Sequence, residues 1–287
     1  MKKISLMVLL IFLISVISGC KINTSSAALK DINKTADNKY SCTYEDVKHD
    51  FIVYLPDESK DAPMVILLHG YGESAEAFRS KTDFHERSLE RGYAAVYVSA
   101  SSSGWNSGIA ADGNDDVAFL KALAGYLQDE YHLSKDKTYI TGFSNGGFMV
   151  HRIAMEAQDV FSACVSVAGK MPKSIWQAKN DTNGVSFFQV TGERDDVVPK
   201  HSDKSADSSI DPAIEDVMDY WVSTNGLSLE SEDEIGNGSH LKKYSSDGRK
   251  NKVWDLTVKD GKHSWSDDGI NGFVINDLIL DFFDSVK

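Results

Sequence analysis

The stretch TYITGFSNGGFMVHRIAMEA, residues 138–157, decides the fold of this 287-residue chain. Residues 138–141 favour a β-strand, and from Gly147 onward apolar residues recur at the spacing of an amphipathic helix. Between them lies a Gly-x-Ser-x-Gly turn at residues 142–146, so tight that a Cβ on either glycine would strike the neighbouring backbone. A strand, a sharp turn and a helix in this order place Ser144 in a strained backbone conformation that exposes its Oγ as a nucleophile.

The alternation of strand and helix patterns continues on both sides of this stretch, from about residue 50 to the end of the chain. Several strand patterns are nearly continuous apolar runs, typical of central strands covered on both faces. The alternation predicts one α/β domain with a mostly parallel central sheet, helices on both faces and no large cap domain. The predicted strands cover residues 51–55, 64–68, 94–99, 138–141, 162–167, 186–191 and 253–258. The predicted helices cover residues 75–91, 116–131, 147–157, 212–224 and 273–286, and the polar segments 200–209 and 228–248 are predicted loops.

A serine hydroxyl is a poor nucleophile until a base removes its proton, so an acid and a histidine must follow it at suitable places. The predicted strand at residues 186–191 runs into a loop that carries Asp195 and Asp196. An acid on such a loop can reach an imidazole while a rigid strand end holds the loop in place. Spacing alone does not choose between these two aspartates.

His263 is the best-placed candidate for the base, because it follows the predicted strand 253–258 across a short loop and can face Ser144. His201 lies too close to the acid to return from a separate strand, and His240 lies in a polar stretch rich in glycine and serine. The remaining histidines are predicted to be surface or packing residues at positions 49, 85, 132 and 151. They show no ligand spacing with cysteines or clustered carboxylates, so no metal site is expected.

Acyl transfer also needs donors for the negative charge that develops on the carbonyl oxygen. The predicted strand 64–68 runs directly into His69-Gly70-Tyr71-Gly72, a tight turn at the place where one backbone N–H is needed. We predict that the backbone N–H groups of Tyr71 and Asn145 form this oxyanion hole, with Gly72 the neighbouring choice to Tyr71. His69 is then a structural residue of the turn and not a second base.

The N-terminus has the features of a bacterial export signal, because Lys2 and Lys3 precede an apolar run at residues 4–17 that is short for a membrane span. Ile17-Ser18-Gly19-Cys20 resembles a lipobox, which predicts cleavage before Cys20 and a diacylglyceryl group on its thiol. The predicted organisation is a signal peptide at 1–19, a lipidated N-terminus and flexible tether at 20–42, and a catalytic domain at 43–287. The mature protein is expected to be anchored by this lipid at the outer face of the membrane, or released to the medium. An ordinary signal peptide with an incidental cysteine is the alternative.

Charge and cysteine content limit the partners of the chain. The formal net charge of -13 repels phosphate backbones and anionic membrane surfaces, which argues against nucleic-acid binding and leaves the lipid as the only expected membrane contact. After processing, only Cys42 and Cys164 remain, too few for a disulfide framework of the small secreted kind.

Taken together, the segments around nucleophile, acid and base resemble the polyhydroxybutyrate-depolymerase and feruloyl-esterase group of carbohydrate esterase family 1, over most of residues 50–287. The matching segments are Leu68-His69-Gly70, Trp105-Asn106, residues 115–120, residues 139–149, Phe161-Ser162-Ala163, Val167-Ala168-Gly169, residues 195–199 and residues 261–265. The resemblance implies the α/β-hydrolase fold, and alignment of Val198-Pro199 with the family motif identifies Asp195 as the acid. The chain departs from the family pattern at Thr191, Leu227 and Ser266, where relatives often carry histidine, cysteine and proline.

The resemblance also implies a serine ester hydrolase that needs no cofactor and acts through an acyl-enzyme on an ester-substituted polysaccharide. Feruloyl or acetyl groups on xylan are the implied substrates, and Trp105 and Trp265 are expected to stack on a phenolic acid or sugar ring, with core packing as the alternative for both. A polyhydroxyalkanoate depolymerase or a general carboxylesterase would use the same chemistry. A polysaccharide-binding surface lipoprotein with a vestigial site is an alternative of another class, which the intact Ser144, Asp195 and His263 argue against.

If Cys20 carries the lipid, the wild-type protein should fractionate with membranes. Replacing the thiol by a hydroxyl in Cys20→Ser removes the atom to which the diacylglyceryl group is attached, so this variant should move to the soluble fraction or the medium. Membrane fractionation with an immunoblot, together with the N-terminal sequence of the mature protein, measures both. A soluble wild-type protein cleaved at another position would contradict the lipid anchor.

Overall fold

The computed structural model describes residues 28–109, 113–179, 184–200, 212–265 and 271–287. The predicted signal peptide and Cys20 lie outside the described residues, and so does most of the predicted loop at residues 200–209. No helix within the described ranges is both long and apolar enough to cross a membrane.

A single sheet organises the described residues. Its strands are β1 (Lys30–Ala36), β2 (Lys39–Tyr44), β3 (Val47–Tyr54), β4 (Met64–Leu68), β5 (Ala94–Val98), β6 (Thr138–Phe143), β7 (Ala163–Val167), β8 (Ser186–Gly192), β9 (Ser228–Ile235), β10 (Ser239–Ser245) and β11 (Val253–Val258). They lie in the order β1-β2-β3-β5-β4-β6-β7-β8-β11-β10-β9. The six strands from β5 to β11 in this order are parallel, and antiparallel strands extend the sheet at both edges.

Helices cover both faces of this sheet, as predicted. The helices are α1 (Ala75–Thr82), α2 (Phe84–Glu90), α3 (Asp116–Tyr131), α4 (Asn145–Glu156), α5 (Lys173–Ala178), α6 (Ile214–Asn225) and α7 (Ile275–Ser285). One apolar cluster joins the sheet to α3, α4 and α6, and a second joins the opposite face to α1, α2 and α7. Every residue of β4 to β8 is buried, which explains the continuous apolar runs in the sequence. The α/β-hydrolase fold is therefore the fold of this chain, without a cap domain in the described ranges.

Two predicted helices differ from the structure in their limits. The pattern at residues 75–91 forms two helices, because Asp83 adopts a left-handed conformation with φ +43° and ends α1. The helix predicted at residues 212–224 begins at Ile214, with Ala213 as its N-cap, and ends at Asn225. Asp115 caps α3 by accepting a hydrogen bond from the backbone N–H of Ala118.

The predictions for the polar segments at the sheet edges were wrong. From Lys30 onward the predicted tether forms β1 and most of β2, and the predicted loop at residues 228–248 forms the hairpin of β9 and β10. Backbone hydrogen bonds hold these edge strands, while most side chains of β1 and β9 face solvent. Their composition is therefore that of a loop, and an apolar pattern could not reveal them. Cys42 in β2 and Cys164 in β7 are both buried free thiols.

The start of α4 lies so close to the end of β4 that we expect no room for a methyl group added at Gly146. A Cβ at Gly146 would lie 2.4 Å from the carbonyl oxygen of Leu68 and 2.7 Å from that of His69, and neither backbone atom can rotate away. Gly146→Ala should therefore lower the free energy of unfolding by about 1–3 kcal/mol.

Gly125 in the middle of α3 provides the matched control, because a Cβ there meets no atom within 4 Å. Gly125→Ala should raise stability by about 0.5–1 kcal/mol through helix propensity. Chemical denaturation of both variants measures the difference, and equal stability of the two would contradict the described contact.

Candidate active site

Ser144 lies on a strained turn between β6 and α4, where the sequence predicts it. Its backbone has φ +51° and ψ -116°, a conformation that L residues rarely adopt, and its N–H donates to the carbonyl oxygen of Val167 at 2.9 Å. A Cβ on Gly142 would lie 2.4 Å from the carbonyl oxygen of Gly146, which explains the glycines on either side of the serine. The turn projects Ser144 above the carboxyl ends of the parallel strands.

His263 and Asp195 meet Ser144 in a continuous chain of hydrogen bonds. The hydroxyl of Ser144 lies 2.9 Å from Nε2 of His263, and Nδ1 of the same ring lies 2.8 Å from Oδ2 of Asp195. The Asp195 side chain is fully shielded from solvent and that of His263 is 17% exposed. With the proton on Nδ1, this imidazole donates to the carboxylate and accepts from the serine, as a general base requires.

The carboxylate of Asp195 is oriented by its own loop. Oδ1 of Asp195 accepts hydrogen bonds from the backbone N–H groups of Val197 at 2.9 Å and Val198 at 2.7 Å, which leaves Oδ2 for the imidazole. Asp196 is exposed. The structure therefore selects Asp195 from the two aspartates between which spacing could not choose.

Acid and base come from the ends of two neighbouring parallel strands. Gly192 at the end of β8 is paired with Val258 at the end of β11, and both chains then turn over the same edge of the sheet. A backbone hydrogen bond of 2.8 Å from Arg194 to the carbonyl oxygen of Gly261 fastens the two loops together. This fastening fixes the distance between the Asp195 and His263 side chains.

Both backbone N–H groups predicted for the oxyanion hole are available to donate to a substrate oxygen. Within the described ranges, the N–H groups of Tyr71 and Asn145 have no acceptor, whereas the N–H of Gly72 donates to the carbonyl oxygen of Ser103 at 2.6 Å. Gly72, the neighbouring choice, is thus already engaged. Asn145 is the first residue of α4, where N–H groups lack partners in the helix and the helix dipole favours negative charge.

Trp105 lies at the wall of a cavity beside these donors, with only 4% of its surface exposed. Its indole N–H donates to the carbonyl oxygen of His69 at 3.1 Å, and its backbone N–H donates to Oδ1 of Asn145 at 2.6 Å. Trp105 therefore ties its loop to both sides of the predicted oxyanion hole. Its ring belongs to a buried core cluster, so it has the core packing that was the alternative and not the expected stacking on substrate. The sequence pattern had no signal for this contact of the Asn145 side chain, because the two residues are far apart in the chain.

The prediction that Trp265 stacks on substrate was wrong. Its ring packs edge-on against Phe78 in the core, with centroids 5.3 Å apart, and its indole N–H donates to Oδ1 of Asn276 at 2.9 Å. A large ring two residues after His263 is thereby buried between α1 and α7. Trp265 anchors the loop of the base and does not face the cavity.

The remaining histidines have the structural roles expected of them. His69 is buried, its Nε2 accepts from the N–H of Ala100 at 3.0 Å, and its Nδ1 donates to the carbonyl oxygen of Gly70 at 2.7 Å. Burial lowers the pKa of His69, so the ring stays neutral in the turn. Burial lowers the pKa of His151 to about 3 and also lowers the pKa values of His49 and His85, while His132 is an exposed residue that ends α3.

One group of possible metal ligands occurs in the described part of the chain, away from the triad. Asp83, His85 and Glu86 each bring a ligand atom within 4.8 Å of the others. The two acids are exposed, and Nδ1 of His85 lies 3.3 Å from the hydroxyl of Tyr97. Exposed acidic groups of this kind are common without an ion, so we assign no metal role to them.

A family model described as X-Pro dipeptidyl-peptidase (S15 family) matches residues 47–264 of this chain. The chain is 29% identical over 142 residues to "Putative esterase NocK" of Nocardia uniformis subsp. tsuyamanensis, with coverage of 48% of this chain and 41% of the relative. It is 25% identical over 183 residues to "Feruloyl esterase B" of Talaromyces funiculosus, with coverage of 59% and 50%. The chain thus spans half or less of the length of these relatives.

Among solved structures, the fold resembles that of an acetyl xylan esterase from Aspergillus awamori. The TM-score is 0.61 at 13% sequence identity, and the match covers 90% of this chain and 99% of the other. At this identity the likeness supports the fold alone.

Replacing Asp195 by asparagine should remove most of the activity, because the amide leaves the shape of the loop but favours the wrong tautomer of His263. The loss in kcat can reach about ten-thousand-fold in serine hydrolases. Asp196→Asn changes an exposed side chain and should cost far less. Steady-state hydrolysis of p-nitrophenyl acetate by both variants measures the ranking, and the reverse order would mean that the wrong aspartate has been assigned.

Proposed function

The chain belongs to the X-Pro dipeptidyl-peptidase (S15) family, and on that premise we propose that it is a serine hydrolase that cleaves carboxylic esters of plant polysaccharide, with acetyl or feruloyl groups on xylan as substrates. The unbroken hydrogen-bond chain from Ser144 through His263 to Asp195 carries this proposal. The relatives named as esterases, together with the motifs that resemble carbohydrate esterase family 1, support an ester as the substrate.

The geometry supports a double-displacement mechanism. Nε2 of His263 takes the proton of the Ser144 hydroxyl while Oγ forms a bond to the carbonyl carbon of the ester. The backbone N–H groups of Tyr71 and Asn145 then bind the oxyanion, a contribution of a few kcal/mol for each donor in comparable enzymes. The bond to the sugar oxygen breaks, that oxygen takes the proton from His263, and an acyl-enzyme remains.

Water completes the reaction by the same route. His263 removes a proton from water while the water oxygen attacks the acyl carbon. His263 then gives this proton to Oγ of Ser144 as the carboxylic acid leaves. Asp195 holds the ring in one tautomer and stabilises its positive charge in both halves. The five groups named for this cycle belong to the protein itself, so the proposed reaction requires no cofactor.

Two other activities would use the same triad, and a comparison of substrates distinguishes them from the proposed one. A polyhydroxyalkanoate depolymerase or general carboxylesterase would prefer aliphatic esters. The family description raises peptide cleavage after an X-Pro pair, for which a chromogenic Ala-Pro amide is the probe. A non-catalytic polysaccharide-binding lipoprotein is disfavoured, because a vestigial site would not be expected to keep the serine within 2.9 Å of the base.

We also propose that the protein is exported and anchored by lipid on Cys20. The signal-like residues 1–19 and the lipobox support this placement. Cys20 itself lies outside the described residues, which begin at residue 28, just before β1.

Purified protein should react with a fluorophosphonate probe and release acetate or ferulate from acetylated xylo-oligosaccharides or methyl ferulate faster than it cleaves a polyhydroxybutyrate film or Ala-Pro p-nitroanilide. Ser144→Ala and His263→Ala should each remove nearly all turnover. The double variant should be hardly worse than either single variant, because residues that act as one unit are strongly non-additive.

Several results would contradict the proposal. His263→Ala with more than about a tenth of wild-type turnover, a loss under about 1.4 kcal/mol in the barrier, would mean that another base acts. Preference for the Ala-Pro amide or for the aliphatic polymer would replace the polysaccharide substrate. Failure to react with the probe and with every ester would favour the non-catalytic alternative.

A further inference from the structure

We propose that the cavity beside Tyr71 and Asn145 is the subsite for the sugar half of the ester, with the Tyr71 ring as its exposed wall. This inference rests on the proposed ester hydrolysis, because it names the part of that substrate that the cavity binds.

The cavity lies directly beside the predicted oxyanion donors and has a volume of about 460 Å³. This volume lies within the usual range for small-molecule sites, roughly 300–1,000 Å³. Hydroxyl and amide side chains form much of its wall, from Ser101, Ser102, Ser103, Ser107, Asn106 and Asn114. The wall also carries apolar surface, including the exposed side chains of Tyr71 and Ile109. A group attached to a carbonyl at the oxyanion hole therefore meets hydroxyl groups and a flat apolar ring together, which suits the polar edge and the apolar face of a sugar.

Tyr71 offers an aromatic surface at the rim of this cavity. Tyr71 is one of the large hydrophobic residues in the described ranges that are strongly exposed, with 73% of its surface accessible. A Cβ added to Gly104 would lie 2.9 Å from Cδ2 of Tyr71, so the ring rests closely against the backbone of the cavity loop. An exposed aromatic ring at the edge of a polar cavity is a suitable platform for a sugar ring.

The cavity wall is connected rigidly to the nucleophile. The backbone N–H of Trp105 donates to Oδ1 of Asn145 at 2.6 Å, and the carbonyl oxygen of Asn106 accepts from Nη1 of Arg152 in α4 at 2.8 Å. Both partners lie on the helix that begins directly after Ser144. A ring bound in the cavity is therefore held in a fixed position relative to Ser144 Oγ, as efficient acyl transfer requires.

Binding of acetylated xylotriose to the inactive Ser144→Ala protein tests the subsite without turnover. Adding Ser107→Ala removes a hydroxyl that has almost no accessible surface and no partner in the described ranges, so it should leave the Kd unchanged and thermal stability unchanged or raised. Adding Tyr71→Ala should weaken binding about 10-fold, and Tyr71→Trp should retain most of it because a flat ring is restored. Titration calorimetry and thermal unfolding measure these effects.

Leu229→Ala is the matched control, because Leu229 is an exposed apolar side chain on β9, the edge strand of the sheet, and its loss should leave the Kd unchanged. No binding of acetylated xylotriose, or binding that Tyr71→Ala leaves unchanged, would overturn the subsite. Hydrolysis of the same compound by the wild-type protein is scored separately. If the wild-type protein hydrolyses the compound but the Tyr71 variants bind it as before, the subsite is rejected and the proposed function stands. If the Tyr71 variants bind it more weakly but the wild-type protein does not hydrolyse it, the subsite stands and the proposed function is rejected.

Discussion

The close approach of α4 to the end of β4 is the constraint on which the rest of the site depends. Gly146 presses against the carbonyl oxygens of Leu68 and His69, so that no Cβ fits between them. This contact brings the N–H of Asn145 next to the turn that carries Tyr71, and it holds Ser144 at a positive φ that an unsupported chain would leave. Buried packing on both faces of the sheet thus stabilises a strained turn, and the strain is what exposes the nucleophile.

The parallel sheet provides the second requirement, which is that groups distant in the chain meet at one edge. Ser144, Asp195 and His263 follow β6, β8 and β11, and the carboxyl ends of these strands all lie on the same side. Each loop is also fastened at its base, Asp195 by two backbone N–H groups and His263 by the buried Trp265. The triad is therefore positioned by rigid elements before a substrate binds, which reduces the reorganisation needed for reaction.

The triad defines the chemistry, and the walls around it define the substrate. Serine, histidine and aspartate in this arrangement can cleave an ester or an amide, which is why a family described by peptidase activity and relatives named as esterases are compatible with one geometry. On the proposed assignment, the cavity beside Tyr71 separates these activities, because its hydroxyl side chains and the Tyr71 ring would contact the sugar half of an ester. Discrimination thus comes from contacts with a part of the substrate that does not itself react.

The sequence alone determined the fold class and the core strands, because burial on two faces and helical periodicity are recorded directly in the order of apolar residues. It also predicted Ser144 and His263 as nucleophile and base, because a glycine-flanked turn and a short loop place them directly after predicted strands. It likewise predicted the Tyr71 and Asn145 donors, because each lies in a tight turn directly after a predicted strand. Spacing left Asp195 and Asp196 equal, the family resemblance pointed to Asp195, and the hydrogen bond to His263 then distinguished it physically. Only the tertiary structure placed Trp265 in the core and revealed β1, β2, β9 and β10. Each of these outcomes depends on a hydrogen bond or contact with a distant segment. Neighbouring residues of similar type therefore look alike in the sequence until the fold gives one of them a partner.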